Sequence, residues 1–184
     1  EQHSCLTLVE VTDRCNLRCA YCMPEEGLDW IPRKELMTYE EMRRICALFV
    51  NMGVEKIRIT GGEPFVRKNL LSFLKDISGM SGLRELTLTT NGLLTAPAVP
   101  ELKKIGIRTV NLSLDSLDKD RFIRITHRNG LDKVVETLDR LLQQDIAVKI
   151  NTVVIEGRNI ADIVPLVQLT KTLPVSIRFI EEMP

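Results

Sequence analysis

Strand-like and helix-like segments alternate along the whole chain, and this alternation limits the fold more than any other feature. Predicted strands cover residues 6–11, 55–60, 85–90, 109–115, 146–155 and 175–180. Segments with helical periodicity lie near residues 38–52, 67–77, 99–105, 131–143 and 159–172. Strands that alternate with helices of this length form βαβ units and a parallel sheet. The alternation alone leaves a barrel and an open doubly wound sheet equally possible.

The predicted strands have one apolar and one polar face. Successive side chains of a strand point to opposite faces, so Ile57 and Ile59 point away from Lys56 and Arg58. The same alternation puts these polar side chains on one face: Lys56, Arg58, Thr60, Thr87, Thr89, Asn111, Ser113, Asp115, Lys149, Asn151, Ser176 and Arg178. A parallel sheet covered on both faces has continuous apolar strands, and a filled eight-stranded barrel has branched apolar residues inside.

We therefore predict an α/β fold that is a partial (β/α)6 TIM-like barrel with parallel strands and a polar lumen. A sheet with one solvated face is the alternative. Four of the inward residues are cations, namely Lys56, Arg58, Lys149 and Arg178. Such a lumen suits an anionic ligand such as a phosphate or a carboxylate.

Composition narrows the functional classes. Lys and Arg total 25 and Asp and Glu total 25, so no overall charge favours nucleic acid or a membrane surface. No apolar run approaches the roughly 20 residues of a membrane span.

The five cysteines fit metal binding in a reducing compartment better than a disulfide framework. One domain covering residues 1–184 is expected, cut from a longer protein, since the chain begins without Met and ends just after a strand.

Three of the cysteines, Cys15, Cys19 and Cys22, fall within eight residues directly after the first predicted strand. Three thiolates can hold an iron–sulfur cluster that is normally held by four, which leaves one iron open to another ligand. The spacing allows the three ligands to share a helix face or to line a loop. A zinc knot or three reduced thiols are the structural alternatives. Zinc usually takes a fourth protein ligand, and His3 and His127 lie outside the motif.

The Cys-x3-Cys-x2-Cys pattern, with Tyr21 just before the third cysteine, resembles the signature of the radical S-adenosylmethionine (SAM) superfamily. The Gly61-Gly62-Glu63-Pro64 sequence after the second strand resembles the superfamily's second motif, which contacts the SAM amino group. The resemblance implies a [4Fe–4S] cluster whose open iron binds SAM, reductive cleavage of SAM to a 5′-deoxyadenosyl radical, and a partial (β/α)6 barrel.

Other segments resemble one family within this superfamily, the molybdenum-cofactor GTP 3′,8-cyclases. They are residues 13–24, 57–64, 88–92, 111–115 and 177–184. That family is a lyase family that converts GTP to (8S)-3′,8-cyclo-7,8-dihydroguanosine 5′-triphosphate. The resemblance implies GTP as the substrate, a reducing electron donor as a partner, a cytoplasmic location, and a homodimer as an option for the full-length protein.

The resemblance also implies roles for individual residues. The cluster ligands would be Cys15, Cys19 and Cys22. The SAM contacts would be Tyr21, Gly62, Ser113 and Met183. The GTP contacts would be Arg58, Thr89, Lys149 and Arg178, with Lys56 assisting at the phosphates. No residue is expected to act as a general acid or base, because the cofactor supplies the chemistry.

Two features depart from the cyclase family. Leu8 occupies the position, seven residues before the first cysteine, where the family usually has an arginine implicated in GTP binding. The second [4Fe–4S] cluster of the family would need cysteines after Cys46, and this sequence has none, so it is expected in a C-terminal part outside the chain.

Other interpretations remain open at this point. The chain could be a radical SAM enzyme that modifies a peptide or another cofactor, or a zinc or iron–sulfur module without catalysis. Lys149 or Arg178 could instead form a structural ion pair with Asp115 or Glu182, and Met183 could be a core residue. Cys5 and Cys46 are expected to be buried structural thiols.

Overall fold

The computed structural model describes residues 6–24, 28–32 and 34–182. The strands are β1 (Leu6–Glu10), β2 (Lys56–Thr60), β3 (Glu85–Thr90), β4 (Thr109–Ser113), β5 (Ala147–Val154) and β6 (Val175–Glu181). The helices are α1 (Tyr39–Asn51), α2 (Leu70–Ser78), α3 (Val99–Ile105), α4 (Lys119–Thr126), α5 (Leu131–Gln143) and α6 (Ile163–Leu169). None of the helices in this described part is long and apolar enough to cross a lipid bilayer.

The order of the strands distinguishes a barrel from a doubly wound sheet. All six strands are parallel and lie in sequence order from β1 to β6. Because parallel crossovers are right-handed, an order that never reverses keeps every connecting helix on the same face of the sheet. A doubly wound sheet needs a reversal of the order. Since β1 and β6 each pair with only one neighbour in the sheet, the barrel is open. The prediction of a partial (β/α)6 barrel is confirmed.

The hydrophobic core lies between the outward face of the sheet and the helices. Ile57, Ile59, Val110 and Ile150 point outward and are fully buried. Helical residues pack against them, and Cys46 of α1 is one of these, with no exposed surface. Each such aliphatic side chain contributes about 1.5–3 kcal/mol on burial. The predicted burial of Cys46 is confirmed, whereas Cys5 lies outside the described residues.

The inward face is polar, as its sequence predicts, but its middle is not solvated. Thr87 of β3 and Asn111 of β4 are each 1 % exposed. Across the sheet, Arg58 pairs in register with Thr87, and Asn111 pairs with both Thr89 and Lys149. The polar side chains of the middle strands therefore pack side by side, whereas Ser176 and Arg178 on the edge strand β6 are exposed. The inward face is thus not solvated along its whole width, as the alternative of a sheet with one solvated face would require.

Helix α4 is absent from the sequence-based prediction. Its first turn is capped by Asp118, whose side chain accepts a hydrogen bond from the Arg121 backbone N–H at 2.8 Å. Phe122, Ile125 and Thr126 form its buried face, and Ile123 is the one further large apolar side chain in a segment with four charged residues. Arg121 also forms a 2.7 Å ion pair with Asp162, which is buried just before α6. The helix depends on this tertiary contact, so hydrophobic periodicity alone gave too weak a signal.

Candidate functional site

The three predicted cluster ligands lie in a loop that follows β1, not on a helix. One tight turn forms at its end, where the backbone N–H groups of Cys22 and Met23 donate to the Cys19 carbonyl at 2.9 and 3.0 Å. Backbone bonds of 2.9 Å from Arg18 to Thr126 and from Ala20 to Ile125 fix the loop to the end of α4. The helix that the sequence analysis missed is therefore the support of the cysteine loop.

A cavity of about 190 Å³ lies at the carboxyl ends of the strands, next to this loop. Because parallel strands end at the same edge of a sheet, residues far apart in sequence meet there. The cavity is lined by the three cysteines and Tyr21, by the ends of β2, β3 and β4, and by α4: Cys15, Leu17, Cys19, Tyr21, Cys22, Thr60, Gly61, Gly62, Thr89, Thr90, Asn91, Ser113, Asp115, Phe122 and Thr126.

The glycine turn after β2 packs directly on the segment that leads into the cysteine loop. The Gly62 backbone N–H donates to the Thr12 carbonyl at 2.7 Å, and the Glu63 N–H donates to the Arg14 carbonyl at 2.8 Å. A Cβ atom on Gly62 would lie 2.3 Å from the Arg14 carbonyl oxygen. Glycine is therefore required here for a close approach of two backbones.

Glu63 of this turn points into the protein and not into the cavity. It is fully buried and accepts hydrogen bonds from the Asn91 N–H at 2.7 Å, the Thr90 hydroxyl at 2.9 Å and the Phe65 N–H at 3.1 Å. Burial raises the pKa of its carboxyl to about 7, although these hydrogen bonds oppose the shift. Glu63 thus connects the end of β2 to the end of β3. Within this turn it is Gly61 and Gly62, and not the Glu63 side chain, that line the cavity.

The cysteine sulfur atoms have an environment suited to metal binding. Burial raises the pKa of the Cys15 thiol and raises that of Cys19 to about 12, whereas Cys22 is exposed. Buried thiolates need a compensating positive charge, which a metal supplies when it displaces the protons. The Leu17 N–H lies 3.4 Å and the Asn91 side-chain amide 3.6 Å from the Cys15 Sγ. Both donors stabilise negative charge on that sulfur.

The three cysteines around the cavity have the number and chemistry of ligands that a multi-iron cluster with one open iron requires. A tetrahedral zinc site draws all its ligands to about 2.0–2.3 Å from one centre. In a [4Fe–4S] cluster each cysteine binds a different iron, so the sulfur atoms surround a larger body. Three cysteines around one open cavity meet that requirement.

Tyr21 connects the cysteine loop to the end of β4. Its hydroxyl donates to Asp115 Oδ2 at 2.8 Å, and Asp115 Oδ1 accepts from the Val153 N–H at 2.8 Å. Asp115 is buried, and it is occupied by these bonds rather than by the ion pair with Lys149 or Arg178 that the sequence left open. The Tyr21 ring therefore borders the cavity in a fixed position.

The remaining predicted residues divide between this cavity and the deeper lumen. Thr89 and Ser113 line the cavity. Arg58, Lys149 and Arg178 lie on the same inward face but outside the cavity lining. Arg58 and Lys149 are half-buried, whereas Arg178 is exposed on the edge strand, with its Nη1 3.5 Å from Asn111 Oδ1. Met183 lies outside the described residues.

Several polar atoms of the lumen have no partner within the described part of the chain. They are Arg58 Nε, Thr87 Oγ1 and Asn151 Oδ1. Lys56, in contrast, forms a 2.5 Å ion pair with Glu85 on the neighbouring strand. Buried polar groups are normally hydrogen-bonded, so these three atoms can bind water or a polar ligand, while the charge of Lys56 is already compensated.

The sequence analysis did not assign Asn91, Asp115, Phe122 or Thr126 to the site, although all four line the cavity. A signal existed for two of them. Asn91 directly follows the predicted strand 85–90, and Asp115 is the last residue of the predicted strand 109–115, at the edge of the sheet where Gly61 and Gly62 also lie. Phe122 and Thr126 could not be found because their helix was not predicted.

Comparison with known proteins agrees with this geometry. The family model of the radical SAM superfamily matches residues 9–170. The GTP 3′,8-cyclase of Clostridium perfringens (strain SM101 / Type A) is 43 % identical over 176 residues, which are 96 % of this chain and 54 % of that protein. The mitochondrial GTP 3′,8-cyclase of Arabidopsis thaliana is 42 % identical over 177 residues, which are 96 % of this chain and 45 % of that protein.

Solved structures show the same fold at lower identity. The protein anSMEcpe with bound AdoMet superimposes with a TM-score of 0.75 at 19 % identity, covering 97 % of this chain and 51 % of that one. The chain spans about half the length of the two cyclases that it resembles. The family match covers most of the chain, including the cysteine loop and the glycine turn. On these grounds the chain belongs to the radical SAM superfamily.

Proposed function

We propose that residues 1–184 are the catalytic barrel of a GTP 3′,8-cyclase, which acts in molybdenum cofactor biosynthesis. The observation that carries this proposal is the cavity that unites three cysteines, Gly62 and Ser113 above a cationic lumen. The names of relatives at 42–43 % identity support GTP as the substrate. The proposal includes a cytoplasmic protein, a reducing electron donor, a possible homodimer of the full-length protein, and a second [4Fe–4S] cluster in a C-terminal region outside this sequence.

In this proposal Cys15, Cys19 and Cys22 hold the first cluster. A [4Fe–4S] cluster held by these three residues would supply the electron for reductive cleavage of SAM. Gly62 and Ser113 line the cavity, where Gly62 offers its backbone to SAM and Ser113 offers a hydroxyl at the end of β4. Tyr21, held by Asp115, closes one side of the cavity, and Met183 is the remaining expected SAM contact.

The lumen supplies the proposed contacts to GTP. Arg58, Lys149 and Arg178 provide positive charge for a triphosphate, and guanidinium groups bind phosphate oxygens in pairs. Thr89 provides a hydroxyl between the cavity and the lumen. Leu8, at the family's usual arginine position, pairs in register with Arg58, which in turn pairs with Thr87. Among these three neighbouring residues, Arg58 therefore supplies the positive charge.

The experiment that tests the radical SAM part is anaerobic reconstitution with iron and sulfide, followed by EPR of the reduced protein. We expect a [4Fe–4S] signal that changes on addition of SAM, because SAM binds the open iron. A tightly held zinc ion, or a cluster signal that SAM leaves unchanged, would contradict the proposal and favour a non-catalytic metal-binding module.

Lys149→Ala tests the substrate part. We expect GTP to bind about tenfold to hundredfold more weakly, because a hydrogen bond to a charged group contributes about 1.5–3 kcal/mol. SAM binding should change less than about twofold, since Lys149 lies outside the cavity lining. Isothermal titration of the reconstituted protein with each ligand provides the measurement.

Lys56→Ala is the matched control, because Lys56 is on the same face but is already paired with Glu85. We expect it to weaken GTP binding clearly less than Lys149→Ala does. Equal losses for the two variants, or equal losses of GTP and SAM binding in Lys149→Ala, would show that Lys149 is structural.

A further inference from the structure

Asn91 forms hydrogen bonds through its backbone N–H and through both polar atoms of its side chain, which reaches a predicted cluster ligand. It directly follows β3 and is 8 % exposed. Its backbone N–H donates to Glu63 Oε2 at 2.7 Å, and its side-chain Oδ1 accepts from the Leu93 N–H at 3.1 Å. The second bond fixes the orientation of the amide, because a flipped amide would place its NH2 group against another N–H.

The NH2 group of Asn91 consequently faces the cysteine loop. Nδ2 donates to Asn16 Oδ1 at 2.7 Å and lies 3.6 Å from Cys15 Sγ. The two hydrogens of the amide thus have two different acceptors, one in the loop and one on a cluster-ligand sulfur. The backbone N–H of Leu17 adds a second donor to the same sulfur at 3.4 Å.

Hydrogen bonds to ligand sulfur atoms are among the factors that determine the reduction potential of an iron–sulfur cluster. They withdraw electron density from the sulfur and stabilise the reduced state, which carries one more negative charge. We propose that Asn91 raises the reduction potential of the cluster by donating an N–H···S hydrogen bond to Cys15. This inference rests on the proposed cluster site, and it makes Asn91 a positioning and tuning residue without direct contact to substrate.

The test is a redox titration of the reconstituted chain, monitored by EPR, in Asn91→Asp and Asn91→Ser. Asn91→Asp keeps the acceptor for Leu93 but removes both donors, and Asn91→Ser shortens the side chain without adding charge. At a fixed solution potential we expect the ratio of reduced to oxidised cluster to fall about tenfold in Asn91→Asp, which is 59 mV for a one-electron couple. The fall in Asn91→Ser should be smaller and in the same direction.

Asn16→Ala is the matched control, since it removes the other acceptor of the same NH2 group and leaves the N–H···S bond in place. We expect its potential to equal that of the wild type. In deuterated buffer, ENDOR spectra of the reduced wild type should contain an exchangeable deuteron coupled to the cluster that both Asn91 variants lack.

An unchanged potential in Asn91→Asp and Asn91→Ser would overturn the inference. Loss of the cluster from both Asn91 variants and from Asn16→Ala would also overturn it, because Asn91 would then act only by holding the loop through Asn16. Failure of the wild-type chain to give a SAM-sensitive cluster is a separate result, and it would count against the proposed function itself.

Discussion

Cys22→Ala is expected to lose the [4Fe–4S] cluster and all cleavage of SAM. Two thiolates do not hold a cluster that already has one ligand fewer than usual. Cys22 is exposed in the apoprotein, so its replacement should change the free energy of unfolding by less than about 0.5 kcal/mol. Iron and sulfide content, the EPR signal and 5′-deoxyadenosine formation measure the first effect, and denaturant titration measures the second.

The matched control for this variant is Cys46→Ala, which removes a thiol outside the motif. Cys46 has no exposed surface and packs in the core behind the sheet. We expect this variant to lose about 1 kcal/mol of stability and to retain the cluster. Normal 5′-deoxyadenosine formation by Cys22→Ala would show that Cys22 is not a ligand. Loss of the cluster in Cys46→Ala with retention of the cluster in Cys22→Ala would show this too.

Gly62→Ala is expected to destabilise the protein by about 3 kcal/mol and to displace the cysteine loop. The new Cβ would lie 2.3 Å from the Arg14 carbonyl oxygen, 2.5 Å from the Arg14 carbonyl carbon and 2.8 Å from the Asp13 carbonyl oxygen. These are backbone atoms, and they cannot rotate away as the end of a side chain can. The turn would have to separate from residues 12–14, which lead directly to Cys15.

Gly79→Ala provides the comparison for Gly62→Ala. Gly79 follows α2 with φ −85°, and a Cβ there would have no heavy atom within 4 Å. A substitution of this kind should leave stability nearly unchanged or raise it by about 0.4–1 kcal/mol. Equal denaturation midpoints for Gly62→Ala and the wild type, together with a normal cluster content, would contradict the proposed close approach.

The fold was largely predictable because its main signals are local. Period-two alternation identified the outward core residues and the inward polar ones, and both assignments are seen in Ile57 beside Arg58. Alternation by itself does not show which strands pair, so the sequential order of the strands followed only from the barrel that the polar inward face and the family resemblance predicted. The charged α4 was missed for a related reason, since its Arg121 is held by Asp162, which lies 41 residues further along the chain.

Part of the site was likewise predictable from local sequence, and part depended on the tertiary structure. The spacing of Cys15, Cys19 and Cys22 and the glycine pair after β2 indicated by themselves a cluster and a ligand-binding turn. Only the tertiary structure decided that Glu63 is buried, that Lys56 is paired with Glu85, and that Asn91 reaches Cys15. The physical reason is that a motif specifies which chemical groups are available over a few residues. The hydrogen-bond partners of these groups lie on strands and loops that are distant in sequence and come into contact only when the sheet forms.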